Sequence, residues 1–488
     1  HCNYRYSNKM KLIKLIYILI AFAALFVSCS DDDSFSASPS NLLTFSADTV
    51  ALDTVFSNVS SSTRSFWVYN KSGDGIRCSD IRLERGASSA FRVNVDGIDL
   101  TQVGSTSEIE IRKGDSIRVY VEATPTTQNA DAPIEVEDNL VFTLESGEVQ
   151  KINLNVWSWD AVFLRDHHVI GNEMLTADKP IVIYGGLTVD SGAVLNLQAG
   201  TTLYFHEDAG MEVFGRLISQ GEPGNNVTLR GDRLDHMFNY LPYDLTPGQW
   251  QGIVLHASSS DNTMRYTDIH STYNGISIDS CSVDPLKLQL IASTVHNCQG
   301  YGIYAKNARL DVQSCQITNT LNDCVKIEGG DVNINSSTLA QFYPFDSNRG
   351  YVLNFSNVNP LKRLRVTNSL LTGYADDVLL GSKDSTLNNV FNYSFDHCLV
   401  RTPKPETADS VYLTNIIYEN VKDTAKGAEK HFIKIDTDKL RYDFRLDSTS
   451  KAINAASAET SYPTDRDGEM RDEHPDIGAY EYEKQSND

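Results

Sequence analysis

The sequence predicts an all-β protein in two parts, an antiparallel sandwich followed by a parallel β-solenoid. Three observations predict it. Apolar and polar residues alternate with period two up to about residue 158. Further on, a unit of the form apolar-x-apolar-x-x-small-x-apolar recurs, its small positions 22, 22, 32 and 29 residues apart. No segment carries a long 3.6-residue period.

Composition bounds the rest. The chain has 488 residues, 41% hydrophobic and 22% charged, enough for two or three domains with real cores. A disordered acidic tail and a multi-span membrane protein are both excluded by that balance. The formal net charge of −22 argues against a nucleic-acid partner, because phosphate-binding surfaces need clustered Lys and Arg.

Residues 1–9 precede Met10 and read as an upstream extension. Residues 10–28 read as a signal peptide. Lys11 and Lys14 form its basic start, and 15–27 is an apolar run of 13 residues, short of the roughly 20 that span a bilayer. The string Phe26-Val27-Ser28-Cys29 resembles a bacterial lipobox, although Phe26 replaces the usual Leu. That resemblance implies lipidation of Cys29. Ser30-Asp31-Asp32-Asp33 resembles the surface-export signal of Bacteroidota lipoproteins and opens a polar tether over 29–40. The expected location is the outer membrane, lipid-anchored and facing outward, since several acyl chains on one Cys anchor stably.

Residues 41–158 read as an immunoglobulin-like sandwich. Ile117, Val119 and Val121 share one strand face, as do Leu140, Phe142 and Leu144, then Ile152, Leu154 and Val156. Glu145-Ser146-Gly147-Glu148 joins the last two strands as a hairpin.

Residues 159–446 read as the solenoid. Each short unit cannot bury its own apolar side, but stacked coils about 4.8 Å apart can. Ser293, Cys315, Ser337, Ser369 and Cys398 then form an inward ladder of small residues at a sharp bend. This places several cysteines inside without any chemistry.

The entry from Gly186 to Pro223 resembles the first coils of secreted right-handed parallel β-helix proteins of pectate-lyase-like architecture. That resemblance implies a right-handed β-helix over most of 180–400. It leaves activity open, since the architecture hosts lyases, hydrolases, adhesins and stalks. In 447–488, Asp465-Arg466-Asp467-Gly468 and Asp476-Ile477-Gly478-Ala479-Tyr480-Glu481 resemble the choice-of-anchor Q tail of secreted bacterial β-helices. This segment is expected to cap the last coil, whose open edge would otherwise invite pairing.

Four constellations could carry chemistry. The segment 234–250 breaks the repeat and holds Phe238, Tyr240, Tyr243 and Trp250, aromatic plates suited to sugar rings on a solenoid loop. Asp376 and Asp377 form a carboxylate pair of the kind that works on glycosides, but the Gly-His-Gly and Arg-Ile-Lys companions of polygalacturonase-like β-helices are missing. Lys326, beside Asp323 and Glu328, is the candidate base for a lyase. Asp465 and Asp467 resemble half of a calcium loop; no other metal and no organic cofactor is called for. Gly300-Tyr301-Gly302-Ile303-Tyr304 matches a dinucleotide fingerprint formally, but it opens a strand rather than a helix.

The expected function is therefore a cell-surface lipoprotein that presents a β-helix to extracellular polysaccharide or acts structurally, with a protein partner left open. The alternative is a polysaccharide lyase or glycoside hydrolase.

Overall fold

The structure, a computed structural model, describes residues 34–100, 104–106, 108–406, 408–422 and 427–484. The signal peptide and Cys29 lie outside them. Among the described residues no helix is long and apolar enough to cross a membrane. Contacts divide the chain into two units. The first comprises the described residues up to Leu52 with 62–124 and 136–156; the second comprises 53–61, 125–135 and everything from Trp157 onward.

The first unit is the expected sandwich. One sheet orders Leu43–Phe45, Arg64–Asn70, Ser116–Ala123, Phe91–Val95 and Ile98–Asp99. The other orders Thr49–Phe56, Val149–Trp159, Ile134–Leu144, Ile76–Leu83 and Ser105–Thr106. Pairing is antiparallel, and alternate residues such as Val68, Val119, Val121, Leu140, Phe142 and Leu154 are buried. The Phe45 and Phe142 rings meet at 5.3 Å across the two sheets. The hairpin at 145–148 closes with the Gly147 N–H on the Leu144 carbonyl, at a φ of +88° that suits glycine.

The second unit is a parallel β-helix, as the repeat requires. Its strands form one sheet path of 25 strands among the described residues, each pairing in parallel with the strand one coil on. Three faces result. The first carries Met211–Val213, Ile253–Leu255, Ile276–Ile278 and the starts of Ile303–Gln313, Val325–Asn335 and Leu353–Thr367. The second carries Arg216–Gln220, Asn262–Arg265, Leu288–Ile291 and the ends of those three long strands. The third carries Val227–Gly231, Thr267–His270, Thr294–Cys298, Gln316–Thr320, Thr338–Gln341 and Leu370–Gly373. Inward residues stack in apolar ladders, for example Ile276, Ile303, Val325 and Leu353.

The ladder of small residues lies at the bend between the second and third faces. Ser293, Cys315, Ser337, Ser369 and Cys398 are all fully buried. The residue before each has a positive φ: Ala292 (45°), Ser314 (51°), Ser336 (50°), Asn368 (50°) and His397 (49°). That left-handed step makes the corner. It leaves backbone groups unpaired, and the small side chain satisfies them. The Cys315 N–H donates to the Ser337 hydroxyl and the Ser337 N–H to Ser369, each at 3.1 Å. Each hydroxyl in turn donates to a carbonyl two residues back, at 2.8 Å for Ser337 and 2.7 Å for Ser369. Burial pushes the thiols of Cys298, Cys315, Cys324 and Cys398 up to about 12, so they pack as small apolar groups.

The C-terminal segment departs from expectation. It does not cap the last coil. With the antiparallel pair Phe432–Asp436 and Arg441–Leu446, expected in the solenoid but outside its parallel sheet, it forms a strap over 427–484 that folds back along the third face, against the direction of coil stacking. Gly478 donates its N–H to the Asn368 carbonyl, Ala479 to the Thr338 hydroxyl at 2.9 Å, and the Tyr480 hydroxyl to Gln316 at 2.6 Å. Arg466 reaches Thr294 at 2.9 Å, one coil further back. The outward side chains of the third face explain this. Ala340, Leu370 and Leu399 point out and would be wet without the strap's Phe432, Phe444, Leu446, Ile477 and Ala479. Gly478 sits at φ +112°, where an added Cβ would lie 2.8 Å from Thr338 Oγ1, so only glycine lets the strap approach this closely.

Candidate functional site

The edge between the third and first faces gathers aromatic rings. Here the insertion folds into a short hairpin, His236–Phe238 against Leu241–Pro242. At its tip Phe238 and Tyr240 are 55% and 54% exposed. Their rings stack at 5.8 Å and 12°. Tyr273 is exposed at the same edge in the next coil, Tyr301 lies in the coil after, and Tyr351 is exposed beyond it. Around the edge, on the first face, Tyr304 is in register with Lys326, and Lys326 with Asn354.

Lys326 is the centre of this patch. Its Nζ lies 5.4 Å over the Tyr301 ring and 4.9 Å over the Tyr304 ring, with Glu328 at 3.4 Å. Lys306 Nζ lies 5.1 Å from the Tyr304 ring centroid, and neither lysine approaches as closely as a stacked cation. Alternation puts these side chains outward, because Ile303 and Ala305, and Val325 and Ile327, fill the core. Burial, then a hydrogen bond with Glu328, pushes the Tyr304 phenol well above its ordinary range. It therefore stays protonated and can donate, but it is a poor base. Asp323, beside Lys326 in sequence, is occupied elsewhere. Its carboxylate accepts the Tyr351 N–H at 2.7 Å and the Asn354 amide at 2.9 Å.

Several sequence-predicted residues change role. Trp250 is fully buried and stacks on Phe205 at 4.3 Å and 11°. Its Nε1 donates to the His270 carbonyl at 2.9 Å, so it is core and not a sugar plate. The chain has already rejoined the coil there, in a bridge between Trp250 and Thr272. Tyr243 stands in the turn Tyr243–Leu245 with the Arg233 guanidinium 3.7 Å over its ring, which covers the face a sugar would use. Asp376 and Asp377 do not act as a pair. Asp376 meets Arg401 at 3.1 Å, while Asp377 accepts the Thr402 hydroxyl at 2.8 Å and the Leu379 N–H at 3.1 Å.

The half calcium loop is also something else. Asp465 accepts the N–H groups of Asp467 and Glu469 at 2.9 Å and of Glu481 at 3.0 Å. Asp467 receives the Arg445 guanidinium at 2.7 and 3.0 Å. These donors shape the strap and stand where a cation would have to bind. Among the described residues no group of three or more His, Cys, Asp or Glu is arranged to hold a metal ion.

A family model agrees with this geometry at the level of fold. It is described as a right handed beta helix region and matches residues 224–392. The second unit is a right-handed parallel β-helix. No curated protein sequence matches the chain. Among solved structures, a protein of unknown function from Porphyromonas gingivalis W83 is 9% identical over 26% of this chain and 48% of its own, with a TM-score of 0.19. This chain thus spans about half the length of that relative. The pectate lyase Pel9A is 16% identical over 63% of this chain and 89% of its own, with a TM-score of 0.36. A thermostable GH87 α-1,3-glucanase catalytic unit from Streptomyces thermodiastaticus strain HF3-3 is 9% identical over 73% and 89%, with a TM-score of 0.26.

The sequence reading missed Tyr301, Tyr304 and Tyr351 as site residues. The signal was present. Tyr301 and Tyr304 flank Gly302-Ile303, whose isoleucine is core, so strand alternation turns Tyr304 outward next to Lys326 one coil on.

Proposed function

We propose that this chain is a surface-anchored polysaccharide-binding protein whose β-helix edge holds the ligand. The observation that carries the reading is the cluster of Tyr301, Tyr304 and Lys326, with Tyr273 and Tyr351 exposed at the corresponding turns of neighbouring coils. Coils repeat every ~4.8 Å, close to the length of one pyranose residue, so a glycan lying along the solenoid axis would meet a ring or a polar group at successive sugars. Tyrosine suits this task because its face stacks on sugar CH groups while its hydroxyl stays hydrogen-bonded. Lys326, already beside Glu328, adds a donor without a large positive field.

The test is affinity electrophoresis and calorimetry against a panel of extracellular glycans. Tyr301→Ala and Tyr304→Ala are each expected to weaken binding at least about tenfold. Indifference of every glycan to both substitutions would sink the reading. Trp250→Ala is not a useful probe, since it removes core.

The anchor is part of the proposal and rests on the lipobox resemblance at Cys29. Expression in a lipoprotein-processing host with labelled palmitate should give a labelled membrane-bound protein, and Cys29→Ser should give an unlabelled soluble one. Labelling that survives Cys29→Ser would refute it.

A second reading, a lyase, is favoured by one observation: Lys326, Glu328 and Tyr304 converge on one face. There Tyr304 would serve as the proton donor to the leaving sugar, with Lys326 as base. Incubation with uronate polysaccharides, followed at the absorbance of unsaturated product, separates the readings. Product formation abolished by Lys326→Met supports the lyase; binding without product supports the first reading.

A further inference from the structure

Between the insertion and the strap, the third face leaves a cavity of about 400 Å³ that the edge site does not use. That volume is in the range of small-molecule sites, about 300–1,000 Å³. The charges on and behind its walls are matched, with one exception. His270 stands between Asp244 and Asp268, 3.0 Å from each. Arg230 also meets Asp244 at 3.0 Å, and the Arg466 charge helps hold Asp268 ionised. Arg445 lies between Asp443 at 3.1 Å and Asp467 at 2.7 Å. Four cations therefore face four carboxylates. Arg441, which also lines the cavity, is the exception. It is exposed, and among the described residues no carboxylate lies within 4.0 Å of its guanidinium. Asp436, its register partner in the strap hairpin, turns an oxygen to the Lys439 N–H at 3.0 Å instead.

A second donor comes from the third face. His296 is half-buried, and its Nε2 has no protein partner yet is not sealed from solvent. The Tyr442 hydroxyl and Asn226 Oδ1, by contrast, are sealed and take no part. The His296 tautomer follows from Thr318. The buried Thr318 hydroxyl accepts the Gln316 amide at 3.0 Å, and its own proton goes to His296 Nδ1 at 2.8 Å. Nδ1 thus accepts, and Nε2 carries the ring hydrogen. Burial and the neighbouring His270 charge push His296 down to about 4, so the ring is neutral and this N–H is a standing donor. Other donors in the lining are spent: the Ser271 hydroxyl on the Asp244 carbonyl, the Asn297 amide on the Leu245 carbonyl at 2.7 Å, and the Tyr480 hydroxyl on Gln316 at 2.6 Å. One unmatched guanidinium and one unmatched N–H suit an oxyanion. A second negative charge on the ligand would face Asp244, Asp268 and Asp467 with no further cation to meet it.

We infer that this cavity binds a small organic carboxylate of single charge, whose oxygens take the Arg441 guanidinium and the His296 Nε2–H. This site is separate from the edge patch and does not depend on it.

The test is calorimetry on the whole chain at low ionic strength with lactate and benzoate. Their neutral counterparts are lactamide and benzamide, and inorganic phosphate above its second ionisation serves as the dianion. At least one carboxylate is expected to bind, and its amide about tenfold more weakly, the worth of one hydrogen bond to a charged group. Arg441→Gln should weaken the acid by a similar factor and erase its advantage over the amide, while Arg441→Lys should keep that advantage. Neither change should move the melting temperature of the unliganded protein, because the exposed guanidinium meets no carboxylate. Tyr301→Ala should leave binding unchanged. Failure of both carboxylates to bind at millimolar concentration overturns the inference. So does an amide or phosphate that binds as tightly as the acid, or binding indifferent to Arg441→Gln. Loss of carboxylate binding in Tyr301→Ala would place the ligand at the edge and overturn it as well.

Discussion

His270→Gln is expected to destabilise the β-helix unit by about 3–5 kcal/mol, the range for breaking a buried ion pair from one side. The imidazole bridges Asp244 and Asp268 at 3.0 Å each. A glutamine amide would leave two carboxylates facing each other without the intervening positive charge. Arg230, 3.0 Å from Asp244, offsets part of this, and so does the Arg466 charge near Asp268. Neither sits between the two acids as His270 does. The shift in denaturation midpoint of the purified variant measures the effect. A shift below about 1 kcal/mol, the surface-pair range, would show that the triad is solvated.

The same triad fixes a pH dependence. Burial pulls the His270 imidazole down, but the two carboxylates more than reverse this and hold it at about 10. The unfolded value is near 6.5. Because the folded value is the higher one, the contribution is complete below about pH 6.5 and is lost as pH rises through about 10. Asp244 and Asp268 have the opposite sign. Burial raises them, but His270 outweighs it and holds both below the usual carboxylate range. Their contribution is present above the unfolded value near 4 and is lost as pH falls. Wild-type melting temperature should therefore drop between pH 8 and 10 more steeply than that of His270→Gln. Parallel profiles over that window would contradict the assignment.

What the sequence showed and what it hid follow from where each physical constraint is written. The corner ladder was legible because every coil imposes the same demand. Ser293, Cys315, Ser337, Ser369 and Cys398 each follow a left-handed residue and fill one backbone-satisfying position. A demand repeated in each coil leaves a period. The strap was misplaced because its contacts leave none. Tyr480 meets Gln316 and Ala479 meets Thr338, across 164 and 141 residues. Trp250 was misread because an aromatic residue in an insertion resembles one on a loop, while its stacking partner Phe205 lies in the preceding coil. The His270 triad was invisible for the reason the strap was. Asp244 comes from the insertion and Asp268 from a strand, so no spacing rule connects them. The edge patch lies between these cases. Lys326 was singled out by its outward position, but its tyrosines belong to the coil before, and only strand register joins them.

Glu419→Ala carries the other large expected effect, again about 3–5 kcal/mol, and it also bears on the strap. The Glu419 carboxylate is buried at the end of the last coil. It accepts the Thr372 hydroxyl at 2.6 Å and the Arg401 guanidinium at 3.2 Å, with the buried His431 imidazole at 3.5 Å. His431 in turn meets Ser450 at 2.9 Å, so this one acid ties the coil edge to the strap. Removing it strands Arg401, whose remaining carboxylate partner, Asp376, is 75% exposed and holds it weakly. Glu419→Gln should cost less, because the amide keeps the Thr372 contact. Burial pushes the Glu419 carboxyl up, but His431, Thr372 and Arg401 outweigh it and hold it below its ordinary value. The tie therefore acts fully above about pH 4.5 and fails as pH falls below that. Hydrogen exchange separates a local from a global role. If Glu419 pins the strap, amides of 427–484 should exchange faster in Glu419→Ala than those of the inner coils at 288–341. Uniform acceleration along the whole β-helix would show that the acid stabilises the coil stack and leaves the strap held by its own apolar face.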